Sequence, residues 1–347
     1  MSTQNGSGPV RTAVIGLGRA GWSIHVAGIK DRSDYKIVAC VDPDAERRKE
    51  AEQTLGCRTF ATLKEFLKDP GDTELVIVAT ASHQHTPMSI EALQAGFHVM
   101  TEKPMAINLK EAEKMMKAAK KSKKLFTIHQ NYRCQPELHQ AMALIHSGIL
   151  GKVFYIKMNW TNFARRNDWQ TLRKYGGGQL NNNGVHLIDQ VVQLLDSRVT
   201  AVFGDLQQIL NPGDGEDHVK VVFRAESGML AEVEITQSAL PQPAWVVLGT
   251  RGTLISDGET FRLRYVVGRL KPLKPIDAKA VAGRKYGFGE KIEFKEETLP
   301  AAITPKRNFY DYLYDSIRKG KPPYVTPESV RNTMEVMRLA RKGTQFS

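Results

Sequence analysis

The feature that most limits the possible folds of this chain is a glycine-rich turn close to its start. Residues 12–16 (TAVIG) are a short β-rich run, and helical spacing follows over residues 19–30. Between them stands a G-x-G-x-x-G pattern, Gly16-Leu17-Gly18-Arg19-Ala20-Gly21. In such a turn the first glycine permits a tight bend, the second lets the backbone approach a pyrophosphate, and the third allows close helix–strand packing. The strand before it and the helix after it favour a dinucleotide-binding turn over a glycine turn without a ligand.

The first third of the chain alternates between short apolar runs and helical segments. The runs lie at residues 12–16, 36–41, 75–79, 97–100 and 125–129. This alternation predicts βαβ units, and hence a parallel sheet with helices on both faces. Right-handed crossovers then favour a doubly wound, Rossmann-type α/β sheet.

The pattern changes after about residue 125. Helices are predicted at 136–147 and 185–195, six strand-like stretches follow between 199 and 266, and helices at 306–318 and 327–341 close the chain. Strands in series without intervening helices suit an antiparallel or mixed sheet with one solvated or partner-covered face. The second domain is therefore predicted to be α+β.

Composition excludes several classes of protein. With 347 residues, 41% of them hydrophobic, the chain is long enough for two globular domains. No apolar run approaches the roughly 18–20 residues that span a bilayer. A net charge of +12 raises the possibility of nucleic-acid binding. Because seven lysines cluster near the end of one amphipathic segment (residues 110–124), we interpret the charge as a solvated basic surface, with no nucleic-acid or membrane partner.

The cysteines and histidines give no metal-site pattern. Three cysteines without a C-x-x-C pair argue against a disulfide framework and against structural zinc. His83-x-His85 has no acid or cysteine at ligand spacing, so no metal is expected. Reduced thiols and a polar start without a secretory signal favour a cytoplasmic protein.

Asp42 bears on the choice of dinucleotide. It ends the second apolar run, 21 residues after Gly21. A carboxylate there can accept hydrogen bonds from both ribose hydroxyls of an adenosine and would repel a 2′-phosphate, which favours NAD over NADP. Arg47 and Arg48 follow closely and could tolerate a phosphate, and a turn or capping role before Pro43 is the alternative interpretation.

A lysine follows the apolar run at 97–100, in Thr101-Glu102-Lys103-Pro104. At the carboxyl end of a parallel strand it would stand in the crevice where open α/β sheets bind ligands. The chain resembles the Gfo/Idh/MocA oxidoreductase family in a combination of features. They are the glycine pattern at 16–21, residues 79–85, the Glu-Lys-Pro at 102–104, and the later stretch G-G-G-x(5)-G-x-H-x-x-D at residues 176–189. That family is named in part for glucose–fructose oxidoreductase and inositol dehydrogenase.

The resemblance implies a domain organisation. A flexible tail (1–10) would precede a Rossmann domain (11–124). An α+β domain (125–347) with a large open, mostly antiparallel sheet would bind the substrate and form homodimers or homotetramers. The nicotinamide ring would lie in the cleft between the two domains.

The resemblance also implies roles for individual residues. Lys103 and His186 match the catalytic residues of the family, and Asn182 stands where members usually carry an aspartate. Predicted cofactor contacts are the six residues of the glycine pattern, Asp42, Thr80, His85, Glu102 and Lys103. Predicted substrate contacts are Lys103, Tyr132, Arg133, Arg165, Trp169, Asn182, His186 and Asp189.

The departure at Asn182 affects proton transfer. An amide donates and accepts hydrogen bonds but cannot take up a proton. Asn182 can therefore orient a substrate hydroxyl, while Lys103 loses a carboxylate partner and should hold its proton less tightly. Proton transfer then depends more heavily on His186 and Lys103.

These residue types suit the oxidation of an alcohol. Nicotinamide takes a hydride from carbon, a histidine with an intrinsic pKa of about 6.5 can take the hydroxyl proton, and a lysine can stabilise the developing alkoxide. We therefore predict an NAD(P)-dependent oxidoreductase that acts on a secondary alcohol of a sugar, cyclitol or sugar derivative. Two alternatives remain. One is an enzyme that retains NAD and oxidises its substrate transiently for C–O cleavage or epimerisation of a glycoside, and the other is a non-catalytic dinucleotide-binding protein.

Structural roles remain open for the same residues. His186 and Asp189 are three residues apart on a predicted helix and could serve packing or capping. Trp160 and Trp169 could belong to the core, which is the commoner place of tryptophan.

Overall fold

The first sheet in the computed structural model, which describes residues 8–195, 197–275, 290–301 and 307–347, has six parallel strands. They are β1 (Val10–Ile15), β2 (Tyr35–Val41), β3 (Arg58–Phe60), β4 (Leu75–Val78), β5 (His98–Thr101) and β6 (Phe126–Ile128). Their order, β3-β2-β1-β4-β5-β6, reverses direction between β1 and β4. This is the Rossmann order, so the predicted doubly wound sheet is confirmed.

Helices cover both faces of this sheet. A π-helical stretch (Gly21–Val26) leads into α1 (Ala27–Ile29), and α2 (Ala45–Leu55), α3 (Leu63–Lys68), α4 (His85–Gln94) and α5 (Leu109–Ser122) follow. All four residues of β4 are buried, as its uninterrupted apolar sequence requires of a strand with helices on either side. The switch point between β1 and β4 lies at the carboxyl ends of the strands, where the glycine turn and Lys103 also stand.

The second sheet has eight strands in the order β14-β13-β12-β11-β7-β10-β9-β8. They are β7 (Val153–Thr161), β8 (Val199–Gln207), β9 (His218–Ala225), β10 (Leu230–Thr236), β11 (Trp245–Gly249), β12 (Gly252–Ser256), β13 (Thr260–Val266) and β14 (Phe294–Pro300). Only β7 and β10 run parallel to each other; the other neighbouring pairs are antiparallel. The predicted mostly antiparallel sheet is therefore confirmed.

One face of the second sheet is covered by helices. The remaining helices are α6 (Pro136–His146), α7 (Val185–Leu194), α8 (Phe309–Lys319) and α9 (Pro327–Arg341). Residues of α6, α7 and α9 form a buried core with the inward side chains of the strands, such as Val221 and Val233. The opposite face carries half-exposed charges: Lys157 on β7 lies 2.9 Å from a carboxylate oxygen of Glu232 on β10.

The structure moves the predicted domain boundary. Residues 126–128, which the sequence placed in the second domain, form the last strand of the first sheet. Helix α8 also packs into the first core through Phe309 and Leu313. The chain therefore returns to the Rossmann domain near its end, a long-range contact that local periodicity does not contain.

Several smaller elements differ from the prediction. Strands β3 and β14 and helix α3 were not predicted, because each is short or strongly polar. Helix α8 begins at Phe309 rather than at residue 306, since Asn308 and Asp311 form a capping box there. Residue 306 and residues 1–7 of the predicted tail lie outside the described residues, and β1 already begins at Val10.

Among the helices of the described ranges, none is both long enough and apolar enough to cross a bilayer.

Candidate functional site

The glycine turn leaves room for a ligand at one of its three glycines. Gly16 has a φ of +90°, and Gly21 lies so close to the turn that a Cβ added to it would stand 1.8 Å from the carbonyl oxygen of Gly16. These two glycines are required by the fold of the turn itself. A Cβ added to Gly18, in contrast, meets no atom within 4 Å. The absence of a side chain at Gly18 therefore leaves space outside the protein backbone, as a pyrophosphate requires.

Asp42 is bonded to the glycine turn. Its Oδ2 accepts a 2.7 Å hydrogen bond from the backbone N–H of Leu17, and its Oδ1 accepts one of 2.9 Å from Asp44. The guanidinium of Arg47 lies 3.5 Å from Oδ2. The buried carboxylate thus holds the glycine turn in place, in keeping with the turn role that the sequence analysis gave as the alternative. It also stands where a ribose would be recognised. These residues fit a bound dinucleotide, which the glycine turn, Asp42 and Thr80 would hold.

Lys103 reaches from the end of β5 to the second domain. Its Nζ donates a 2.8 Å hydrogen bond to the backbone carbonyl of Asn182. Burial lowers the pKa of Lys103; the Glu102 carboxylate opposes this shift, and the charges of Arg19 and Arg166 add to it. Lys103 is therefore a cation that gives up its proton more readily than an exposed lysine.

Glu102 is the centre of a buried cluster behind Lys103. Its Oε1 lies 2.7 Å from Nδ1 of His129 and 3.0 Å from Nε2 of His25, and Nδ1 of His25 lies 3.0 Å from the hydroxyl of Tyr310. Burial by itself raises the pKa of Glu102, but the two histidines outweigh this effect and bring the pKa well below its usual value. The cluster thus keeps a negative charge beside Lys103.

His25, Glu102 and His129 could in principle provide three ligands to a metal ion. They are the one such group of His, Cys, Asp and Glu side chains among the described residues. Both histidine nitrogens lie within hydrogen-bond distance of a single carboxylate oxygen. That spacing suits shared protons; two ligands on one tetrahedral metal would be separated by about 3.3 Å. We therefore interpret this cluster as a hydrogen-bonded network.

His186 lies in the first turn of α7, one helical turn after Asn182. Its ring stacks on that of Tyr132, with centroids 3.8 Å apart and planes inclined by 16°. Its Nδ1 is buried and has no hydrogen-bond partner among the described residues. Burial brings the pKa of His186 well below its usual value, and the positive charge of Lys103 adds to the effect. At neutral pH the ring is uncharged and able to accept a proton.

A cleft lies between the domains; Lys103, Glu102 and Asn182 line it, whereas the buried His186 is not among its lining residues. The cleft is lined by residues that include Arg19, Ala20, Thr80, Glu102, Lys103, Trp169, Gln170 and Asn182. The side-chain Oδ1 of Asn182 accepts a 2.9 Å hydrogen bond from Gln170, which also lies 3.5 Å from Arg19. Gln170 was not singled out from the sequence, since nothing in its local pattern distinguishes it. Arg165 is exposed and does not line the cleft.

Arg133 and Asp189 do not face the cleft. Two nitrogens of Arg133 bond the two carboxylate oxygens of Asp189, each at 2.7 Å, and both residues are buried. Arg133 also bonds Ser329, and Asp189 also accepts from Thr333, both on α9. The geometry therefore supports a structural link between α7 and α9, in place of the predicted substrate contacts.

His85 is likewise engaged within the protein. Its Nδ1 lies 2.8 Å from the carbonyl oxygen of Pro104 and its Nε2 lies 3.1 Å from that of Thr80. Both nitrogens face backbone carbonyls, so the ring connects the loops after β4 and β5. The structure thus gives His85 a role in positioning Thr80 and the Lys103 loop, and leaves neither nitrogen for the cofactor.

The fold and this cleft together define an oxidoreductase with a dinucleotide-binding domain, and comparison with known proteins names the family. Residues 10–130 match the model of an oxidoreductase family with an NAD-binding Rossmann fold, and residues 138–255 match the GFO/IDH/MocA C-terminal domain. The chain belongs to the Gfo/Idh/MocA oxidoreductase family.

Relatives match over nearly the whole chain. A myo-inositol 2-dehydrogenase of Thermotoga maritima is 24% identical, with 97% of this chain and 96% of the relative covered. A scyllo-inositol 2-dehydrogenase (NADP(+)) of Bacillus subtilis is also 24% identical, with 97% and 94% covered. Among solved structures, an NAD-binding protein from Listeria innocua has a TM-score of 0.80 at 25% identity, with 95% and 94% covered. The chain is an NAD-binding oxidoreductase of this family.

Replacing Gly18 by alanine tests the cofactor turn. Because the new Cβ meets no protein atom, we expect the melting temperature to stay unchanged. The methyl group would occupy the space of the pyrophosphate, so we expect the dissociation constant of NAD to rise about tenfold or more. Titration calorimetry measures the affinity. Gly8→Ala, whose Cβ also meets nothing within 4 Å, is the matched control outside the turn. Unchanged NAD affinity in Gly18→Ala would contradict the assignment.

Proposed function

We propose that this chain is an NAD-dependent dehydrogenase that transfers a hydride between the nicotinamide ring and a secondary alcohol carbon of a sugar, cyclitol or sugar derivative. The observation that carries the proposal is the juxtaposition of two groups. The Lys103 amine is bonded to the carbonyl of Asn182, one helical turn before His186, whose Nδ1 is buried without a partner among the described residues. Two relatives over almost the full chain are inositol dehydrogenases, which supports a cyclic polyol.

The proposed reaction divides the work between the two side chains. Lys103 in its charged form binds the oxygen of the alcohol and stabilises the negative charge that develops on it. His186 in its neutral form accepts the hydroxyl proton at a ring nitrogen. NAD, when bound, supplies the acceptor for the hydride that leaves carbon. In the reverse direction the histidine returns its proton to the alkoxide oxygen.

Polar side chains of the cleft would position the substrate. Gln170 and Asn182 carry amide groups that donate and accept hydrogen bonds, which matches the hydroxyls of a polyol. Trp169 is 38% exposed and lines the cleft, so its ring offers a flat apolar surface to a sugar face. The proposed substrate contacts are therefore Lys103, Trp169, Gln170, Asn182 and His186.

A substrate panel tests the proposal. The protein is incubated with NAD or NADP and with sugars, cyclitols and glycosides, and both the absorbance of reduced nicotinamide and the product mass are recorded. Net reduction of cofactor with loss of two hydrogens from one compound supports the proposal. Turnover without added NAD and without net reduction would replace it by transient oxidation with retained cofactor. Cofactor binding without turnover on any compound would replace it by a non-catalytic binding protein.

Asp42→Ala tests the proposed preference for NAD. The substitution removes the ribose acceptor and the bond to Leu17, so both cofactors should bind more weakly. We expect the loss to be about tenfold larger for NAD than for NADP, since only the 2′-phosphate gains from removal of the negative charge. The ratio of the two dissociation constants is the measurement.

Asp44→Ala is the matched control for this variant. It removes a carboxylate two residues further on, which caps α2 and does not bond the turn. Its NAD/NADP ratio should equal that of the wild type. A wild-type protein that already binds NADP more tightly would refute the preference.

We further propose that the chain forms homodimers or homotetramers through the open face of the second sheet. That face carries half-buried side chains on its central strands, including Tyr155 and Lys157 on β7 and Glu232 and Glu234 on β10. Because Lys157 is already paired with Glu232 and Glu234, a second copy could cover this face without leaving these charges unpaired. Light scattering measures the mass.

A cytoplasmic location is proposed for the same chain. Its three cysteines are free, and two of them are buried. Free buried thiols suit a reducing compartment.

A further inference from the structure

A second cavity, of about 490 Å³, lies behind the segment that carries Asn182. The start of α5, the end of α9 and the residues after α9 surround it. Gly176, Gly177 and Asn181 line both this cavity and the cleft, and so form a wall between them. None of the residues assigned above to cofactor, substrate or proton transfer lines it. The cavity is therefore a neighbouring space with its own set of side chains.

The walls of this cavity combine two kinds of side chain. Apolar side chains come from α5, from α9 and from the end of the chain, and positive charges come from the loop before Gly176 and from α9. The apolar members are Ile107, Leu109, Met334, Met337 and Phe346, and the cations are Arg173, Arg338, Arg341 and Lys342. Glu216 is the one Asp or Glu in the lining, and Ser347, an oxygen of which accepts a 3.3 Å hydrogen bond from Arg173, lines it as well. An apolar enclosure with an excess of positive charge suits an organic anion.

Arg341 carries a positive charge in this wall that no direct ion pair balances among the described residues. Its Nη2 donates a 2.7 Å hydrogen bond to the side-chain oxygen of Asn181. No ion pair within 4.0 Å joins it to an Asp or Glu among the described residues, whereas Arg338 beside it pairs with Glu335. Burial lowers the pKa of Arg341; the nearby Glu216 carboxyl opposes this shift, and the charge of Arg173 adds to it. A guanidinium that is removed from water without a carboxylate partner loses favourable hydration. Pairing with a bound anion would offset that cost.

Glu216 lies near Arg341 but does not form a direct ion pair with it. It is only 3% exposed, and its Oε1 accepts a hydrogen bond from the backbone of Leu180. Burial raises the pKa of Glu216, and the charge of Arg341 opposes this shift. Because Glu216 is bonded to Leu180 and forms no ion pair within 4.0 Å with Arg341, the guanidinium keeps hydrogen-bond donors for a ligand.

We propose that this cavity binds a small organic anion, with an apolar body and one carboxylate or phosphate group. The anionic group pairs with Arg341, whose planar guanidinium can donate two parallel hydrogen bonds to such an oxyanion. The apolar body packs against Met334 and Met337, whose flexible side chains adapt to varied shapes. The site is distinct from the cleft and does not depend on the reaction proposed for it.

The probe for this site is 8-anilinonaphthalene-1-sulfonate, which has an aromatic body and one anionic group. It is titrated by fluorescence into the full-length protein with NAD at saturation, because aromatic anions also enter dinucleotide sites. We expect one saturable site that persists in the presence of NAD. Octanoate should displace the probe, and 1-octanol at the same concentration should not, since only octanoate carries the charge.

Two variants locate the binding site. Arg341→Met should raise the dissociation constant of the probe about tenfold or more. Leu109→Trp keeps every charge and fills the rim of the cavity, so it should weaken binding even if Arg341→Met does not fold. The matched control is Arg331→Met on the same helix, which removes an exposed pair with Glu113 and should leave the affinity within about twofold.

Three outcomes would overturn the proposal. Release of the probe by NAD would place it in the cofactor site. Equal competition by 1-octanol and octanoate would show that no cation is involved. Wild-type affinity in Leu109→Trp, or in a folded Arg341→Met, would place the bound probe elsewhere on the molecule.

Discussion

Replacement of Lys103 by methionine is expected to lower kcat about 1,000-fold and to leave NAD affinity within about threefold of the wild-type value. The Lys103 ammonium lies in the cleft between the domains, where it is bonded to the carbonyl of Asn182 and makes no hydrogen bond to the glycine turn within the described ranges. Methionine has a similar length and no charge, so it removes the group that stabilises the alkoxide and preserves much of the packing. Steady-state kinetics on the best compound of the substrate panel, together with calorimetric titration of NAD, measures the two effects.

The control for Lys103→Met is Lys110→Met, which removes an exposed lysine from the first turn of α5 in the same domain. It should change neither kcat nor NAD affinity. Activity of Lys103→Met within tenfold of the wild type would show that the amine does not act on the substrate. A loss of NAD affinity as large as the loss of kcat would instead make Lys103 a cofactor-binding residue.

The sequence was sufficient for the parts of the site that chemistry and spacing define locally. The glycine turn is a case in point, because a tight turn between strand and helix restricts which residues fit it. Lys103 and His186 were also predicted, and the structure places Lys103 against the residue one helical turn before His186. The six parallel strands followed from the alternation of short apolar runs with helices.

The sequence was insufficient wherever a residue finds its partner far along the chain. Arg133 and Asp189 are polar residues for which the family resemblance predicts substrate contacts, yet their side chains pair with each other across 56 residues. A polar residue at a plausible position does not reveal which way its side chain points. The return of α8 to the first core depends on the same kind of distant contact.

Asn182 illustrates a subtler limit. The sequence indicated that an amide in place of an acid would deprive Lys103 of its partner. In the structure Lys103 is bonded to the backbone carbonyl of this residue, which any amino acid would supply. The negative charge near Lys103 comes from Glu102, its neighbour in sequence. Although Asn182 stands in place of an aspartate, Lys103 therefore still has a hydrogen-bond acceptor and a nearby carboxylate.

The cluster around Glu102 was missed although part of its signal was present. His25 stands four residues after Gly21, so on a helix it lies on the same face, towards the sheet. His129 ends the run that forms β6, next to β5 in the sheet. Adjacent strand ends and a buried helix face bring both histidines to Glu102. Recognising this required the order of the strands, which local pattern alone does not determine.

Replacement of His186 by glutamine is expected to lower kcat/KM about 100- to 1,000-fold and to change its dependence on pH. In the wild type the neutral imidazole is the active form, so alcohol oxidation is lost as the pH falls through the pKa of His186. Since burial and Lys103 bring that pKa well below 6.5, activity should not begin to fall on the acidic side until the pH is below 6.5. The charged form of Lys103 is required, so activity is lost as the pH rises through its lowered pKa, before an exposed lysine would titrate.

In His186→Gln the acidic limb of the kcat/KM profile should disappear while the alkaline limb remains, because glutamine does not titrate and Lys103 is retained. His146→Gln, at an exposed position on α6, is the matched control and should keep both limbs. Tyr132→Phe preserves the ring stacked on His186 and should also keep both. An acidic limb that persists in His186→Gln would assign proton transfer to another group. A purely structural role for the imidazole would change the size of kcat/KM but not the shape of its pH profile.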